Sequence, residues 1–168
     1  MSSDILKTTS SMINFFPKIT AQAHCDIPCS IYEPTPAKIA AKTVLRMVEQ
    51  LEVFRPPKDS SDAKAILQYH NTISRRIAIK EEHAQICKKE LYTLWSDFFK
   101  PEHLEKFPNL HDLFWQATKL CSKNKQEINK GAAEKLVGAV DEIAKIFYEV
   151  KNTPARYRAY KELTDKLY

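Results

Sequence analysis

The sequence predicts an all-α protein, an antiparallel four-helix bundle preceded by an irregular N-terminal segment. Three observations carry that prediction. The chain of 168 residues contains two glycines, too few for the tight turns of a sandwich or barrel. Apolar residues recur at three- and four-residue steps through four long segments, the period of a helix with one buried face. Prolines punctuate those segments at Pro56-Pro57, Pro101, Pro108 and Pro154, where a helix stops or restarts.

The first helix is expected from Thr35 as N-cap with Pro36 at the first helical position, a favoured start. Ile39, Val44, Met47, Val48 and Leu51 form its apolar face, and Pro56-Pro57 ends it. The second begins near Ser60-Ser61-Asp62 and carries Ile66, Tyr69, Ile73, Ile77, Ala84, Cys87, Leu91, Leu94 and Phe98. That stripe is close to a heptad, with Lys80 falling in the series. A third, broken helix spans roughly 101–123, interrupted at Phe107-Pro108 and restarting at Asn109, with Leu110, Leu113, Phe114, Ala117, Leu120 and Cys121 inward. The fourth, about 130–150, presents Leu136, Val137, Val140, Ile143, Ile146, Phe147 and Val150. Residues 151–168 are highly charged and read as a linker and a short peripheral helix. The hydrophobic content of 43% supports a real core, and no apolar run approaches the roughly 20 residues of a membrane span.

The net charge of +5 comes without a basic cluster interleaved with aromatics, so neither nucleic acid nor a membrane is an expected partner. A mild positive field suits a small anionic substrate. Four cysteines stand at 25, 29, 87 and 121. Cys87 and Cys121 fall on apolar helical stripes, where a free thiol packs as a small hydrophobe. Cys25 and Cys29 fall outside any helical pattern and beside His24.

A bundle offers no open cleft, so function is expected on residues 24–34. The run His24-Cys25-Asp26-Ile27-Pro28-Cys29 follows Ala21-Gln22-Ala23. The stretch before that is polar and broken by Pro17 and Lys18, unlike the continuous apolar core of a secretory signal. Residues 1–23 are therefore expected to be a propeptide removed by a maturation protease, and the protein to be cytoplasmic. Cleavage after Ala23 makes His24 an N-terminus. Its amine, the Cys25 amide nitrogen and the Cys25 and Cys29 thiolates then close a plane of two nitrogens and two sulfurs. That plane suits square-planar Ni(II), with Cu(II) competing by affinity, and the His24 imidazole supplies an axial donor. Three residues separate the thiols and no second pair follows, which argues against a four-ligand zinc site and a thioredoxin-type C-x-x-C.

His-Cys-Asp-x-Pro-Cys-x-x-Tyr-x-Pro, as His24 to Pro34, resembles the metal hook of the nickel superoxide dismutase family. The resemblance extends to Phe16-Pro17-Lys18-Ile19-Thr20, Trp95-Ser96-Asp97-Phe98-Phe99-Lys100-Pro101, Phe107-Pro108 and Leu110-His111, covering roughly residues 16–150. It implies one nickel ion per subunit, held by the His24 amine and imidazole, the Cys25 amide and thiolate, and the Cys29 thiolate. It implies Tyr32 guarding the axial face, Asp26 and Pro28 shaping the hook, and Lys100 attracting the substrate superoxide. It also implies a homo-oligomer, a hexamer, of four-helix bundles. The family's glutamate and arginine partners of the axial histidine fall at Ala40 and His83, and a second tyrosine falls at Phe98; His83 or Glu82 is the expected substitute. The competing reading is a non-enzymatic nickel or copper carrier with an N-terminal thiolate site.

Overall fold

The computed structural model describes residues 30–167, and among them every regular element is helical. In chain order these are α1 (Thr35–Val53), α2 (Ala63–Thr93) running into a single π turn (Leu94–Phe98), α3 (His103–Lys106), α4 (Leu110–Gln126), α5 (Lys130–Val150) and α6 (Pro154–Asp165).

The start of α1 differs from the expected one. Thr35 is already helical and Pro34 (φ −77°, ψ −10°) is the cap, without a side-chain bond to the helix. The Thr35 hydroxyl instead donates to Glu33 Oε1 at 3.2 Å. The buried face of α1 is mostly small: Ala37, Ala40 and Ala41 precede Val44, Val48 and Leu51. Ile39 lies beside that stripe and is 44% exposed. Alanines let neighbouring helices approach closely, which a larger side chain on this face would prevent.

Asp62 caps α2 by accepting from the Ala65 N–H at 3.0 Å, satisfying one of the donors a helix start leaves free. The C-terminal half of the stripe read from the sequence is buried: Lys80, Ala84, Cys87, Leu91 and Leu94. Ile66, Tyr69, Ile73 and Ile77 are only half-buried, because α2 with 31 residues outruns α4 with 17.

Side-chain contacts fix the topology. Along α2 and α4, Lys80 meets Asn124 and Trp95 meets His111, so the two run antiparallel. Arg76 donates to the Gln50 carbonyl at 3.2 Å and Ala84 packs with Val44 and Val48, reversing α1 against α2. Lys38 with Asp141, and Glu49 with Lys130, do the same for α1 and α5. Thus α1 packs on α2, α2 on α4, α4 on α5, and α5 back on α1. This closed ring is the up-down-up-down bundle expected from four amphipathic helices with short connections.

Cys87 and Cys121 face each other at 0% exposure as free thiols. Their mutual hydrogen bond, followed by burial, pushes the Cys87 thiol well above its ordinary pKa. They are core residues, as their stripes indicated.

The α5 helix ends in a compact turn. Asn152 takes φ 54°, a left-handed conformation that asparagine tolerates better than most residues. The Thr153 N–H reaches the Tyr148 carbonyl at 2.8 Å and the Asn152 N–H reaches Glu149 at 3.0 Å, the paired bonds of a Schellman cap. Pro154 then opens α6, which lies back against α5 and α1. No helix of the described residues is long and apolar enough to cross a membrane.

Candidate functional site

His24, Cys25, Asp26, Pro28 and Cys29 lie outside the described residues, as does the segment expected to be removed. Tyr32 is described and is 6% exposed. Three elements build its surroundings at one end of the bundle. The π turn at the end of α2 carries a Phe99 N–H bond to the Leu94 carbonyl at 3.1 Å, one residue wider than an α-helical step. That extra residue brings both Phe98 and Phe99 into the aromatic cluster. Phe98 lies 5.7 Å from the Tyr32 ring and 4.5 Å from Phe147 on α5. Phe99 continues the layer to Phe114 on α4 at 5.5 Å, and Trp95 stacks on Phe114 at 5.7 Å.

The Tyr32 hydroxyl is buried and has no hydrogen-bond partner. A buried phenol normally finds one. Phenylalanine at position 98 supplies none, so the ring contact is there and the hydroxyl contact is not. This orphaned donor belongs to the 24–34 segment itself, and no polar group among the described residues pairs with it.

Lys100 is exposed at this same end, and its backbone N–H donates to His103 Nδ1 at 3.0 Å. Lys151 on the α5 cap lies over the Phe147 ring at 5.3 Å and over Phe98 at 6.0 Å. Together they place positive charge around the aromatic layer, the field an anionic substrate would follow.

His83 sits elsewhere. At ~1.5 Å per residue, about 20 Å of helical rise separates it from Phe98, and its Nδ1 is buried without a partner. Ala40 is buried in the α1 face at 1% exposure. The other histidines have local roles: His111 Nδ1 accepts from Trp95 Nε1 at 2.8 Å, and His103 packs edge-on against Phe99. Among the described residues, no three His, Cys, Asp or Glu side chains gather as a metal site.

Glu33, which the sequence did not single out, is a junction. Its Oε1 accepts from the Tyr148 hydroxyl and its Oε2 from Arg156 Nη2 at 3.1 Å. Burial, then the Glu33 carboxylate, pushes the Tyr148 phenol well up and keeps it protonated as a donor. The local signal was only a carboxylate beside Tyr32; its partners lie more than a hundred positions away.

The profile of the family described as nickel-containing superoxide dismutase matches residues 19–151. The chain is 35% identical over 137 residues to the proteins named superoxide dismutase [Ni] from Streptomyces coelicolor and Streptomyces seoulensis, covering 82% of this chain and 95% of each relative. Among solved structures, a nickel-containing superoxide dismutase with nickel ligation of the oxidised state is 35% identical with a TM-score of 0.64, covering 77% of this chain and 100% of that one. A native nickel superoxide dismutase structure is 34% identical with a TM-score of 0.63, covering 76% and 99%.

Proposed function

The chain belongs to the nickel-containing superoxide dismutase family, and we propose that its nickel is held by the His24 amine and imidazole, the Cys25 amide and thiolate, and the Cys29 thiolate. The reaction of this enzyme family disproportionates superoxide: two radicals and two protons give oxygen and hydrogen peroxide. The observation that carries the assignment is a family match running from residue 19 through the whole hook and on to the end of α5.

Nickel, when bound, supplies a one-electron couple that amidate and thiolate donors bring within biological reach. The residues of the chain do the rest. Cys29 stands three positions before Tyr32, so their Cα atoms lie within about 11 Å by chain reach alone. The partnerless Tyr32 hydroxyl is then a hydrogen-bond donor toward the hook and a candidate proton carrier for peroxide formation. Asp26 and Pro28 shape the turn that returns Cys29 to Cys25. Lys100 and Lys151 draw the anion in, and the aromatic layer under Tyr32 excludes water from that side.

A homo-oligomer, and by family a hexamer, is part of the proposal. A compact hook in which Cys25 and Cys29 share an ion does not span the rise from Phe98 to His83. We therefore assign His83 to the hook of a neighbouring copy. Ile31, 78% exposed beside buried Tyr32, offers apolar surface for such a neighbour to cover. Removal of residues 1–23 by a protease belongs to the same reading, since an acylated His24 nitrogen cannot donate to a metal as an amine does. A cytoplasmic setting, expected from the lack of a continuous apolar core before Ala21-Gln22-Ala23, belongs to the same reading.

The test compares protein starting at His24 with protein retaining residues 1–23 and with Cys29→Ser in the processed form. Only the processed parent should bind one nickel per chain and dismutate superoxide. Cys29→Ser should lose activity by at least about a thousandfold, because a hydroxyl does not replace a soft thiolate. Full activity in uncleaved protein would sink the assignment.

A further inference from the structure

Cys87 on α2 and Cys121 on α4 are free thiols at 0% exposure, and no step of the family's reaction calls on them. Contacts between the two helices hold them in register. Toward one end Lys80 reaches the Asn124 carbonyl, and toward the other Trp95 Nε1 donates to His111 Nδ1 at 2.8 Å. One residue beyond each cysteine, the Lys88 ammonium donates to the Ser122 hydroxyl at 2.9 Å. Between these contacts the two thiols are hydrogen-bonded to each other. Sulfurs in a disulfide stand about 2.05 Å apart. From hydrogen-bond contact, a small approach of two side chains already in register closes that gap.

The position of the pair in the fold gives such a bond a consequence. Residues 88–120, enclosed between the cysteines, contain the π turn, α3 and the first part of α4. Phe98, Phe99 and Phe114, which build the aromatic layer next to Tyr32, all lie in that span. A bond from Cys87 to Cys121 would therefore close a loop around this end of the bundle. Closing a loop removes conformational freedom from the unfolded chain and so favours the folded one.

The family's own reaction supplies an oxidant, since hydrogen peroxide is its product. One thiol attacks peroxide, giving a sulfenic acid and one water; the second thiol then displaces the sulfenic oxygen as another water and forms the S–S bond. Two electrons leave the sulfurs and reduce the peroxide, so two thiols and one peroxide become one disulfide and two waters. Thiolates react, thiols do not. The mutual hydrogen bond and burial keep the Cys87 proton in place, so the closed bundle resists oxidation and the pair reacts when α2 and α4 part.

We propose that Cys87 and Cys121 are a peroxide-oxidised dithiol site, whose disulfide fastens α2 to α4 around the aromatic end of the bundle.

The experiment treats the full chain with hydrogen peroxide, alkylates the remaining thiols in denaturant and locates any link by peptide mass mapping. The expected product is a pair of peptides joined through Cys87 and Cys121, lighter by two hydrogens and separated by dithiothreitol. The mapping distinguishes this link from one between Cys25 and Cys29. The oxidised chain should unfold about 5–15 °C above its reduced form. Cys87→Ala and Cys121→Ala, oxidised in the same way, should show neither the link nor the rise. Complete alkylation of Cys87 and Cys121 after peroxide treatment overturns the proposal. So does their conversion to sulfinic acid without a link, or a link that leaves the unfolding temperature unchanged or lowers it.

Discussion

Lys38 on α1 and Lys80 on α2 are withdrawn from water to nearly the same degree, at 0% and 2% exposure, and are satisfied in opposite ways. Lys38 meets formal charge: Asp141 at 2.5 Å and Asp165 at 3.3 Å, carboxylates that also bind Lys161. Lys80 meets only dipoles. Its ammonium donates to the Asn124 carbonyl, to Lys125 at 2.9 Å and to Glu127 at 3.1 Å. These carbonyls lie at and just past the end of α4, where a helix has acceptors without partners and its dipole is negative. Burial still lowers the Lys80 pKa below 10.5, so the carbonyls do not fully replace water. The contrast separates two jobs. Carboxylates tie Lys38 across the bundle to Asp141 on α5 and outward to Asp165 on the peripheral α6, whereas Lys80 closes the α4–α5 turn through backbone carbonyls.

The largest expected effect follows from Lys80→Met, which keeps the volume but strips the donor from three carbonyls. Urea unfolding should show a loss of about 3–5 kcal/mol, the scale of breaking a buried charged contact. Asn124 cannot compensate, because its side-chain amide is already spent on the Leu120 and Ala132 carbonyls.

Lys38→Met should cost less, about 1–3 kcal/mol, since Asp141 keeps Lys161 and the Tyr160 hydroxyl. Its main signature should be faster hydrogen exchange in α6 with the other helices protected. Equal losses in the two variants would erase the distinction between the carboxylate-paired and the carbonyl-paired lysine.

The smallest effect is titration of Asp165, which ties α6 to Lys38. Burial would raise the Asp165 carboxyl, but hydrogen bonds from Lys161 and Lys38 overcome it and hold its pKa below 3.8. A carboxyl depressed in the fold stabilises above its unfolded pKa and loses that contribution as pH falls through the folded value. Amide exchange in α6 should therefore rise below about pH 4. Asp165→Asn should flatten that rise and cost about 1 kcal/mol or less at neutral pH, given a side chain half in solvent. An acid transition spread evenly over all helices would refute the local assignment.

Much of this was legible beforehand because it depends on neighbours in sequence. The fourth amphipathic segment was read at about 130–150 and α5 spans Lys130–Val150. The break at Phe107-Pro108 separates α3 from α4. Lys80 stood in the heptad series of α2, but its position could not say which acceptors awaited it, since they lie more than forty residues on. The π turn escaped notice because Leu94, Phe98 and Phe99 fit an ordinary helix until Phe114 and Phe147 are present to receive them.

The sequence by itself determined the helices, their breaks and the family, because periodicity, proline and the spacing of His24, Cys25 and Cys29 are local properties of the chain. The tertiary structure decided what those elements do to one another. It put Tyr32 on Phe98 with an unpaired hydroxyl, buried Lys38 among carboxylates and joined Glu33 to Arg156. Each of these pairs residues far apart in sequence, and no local pattern records a contact made only when the helices close their ring.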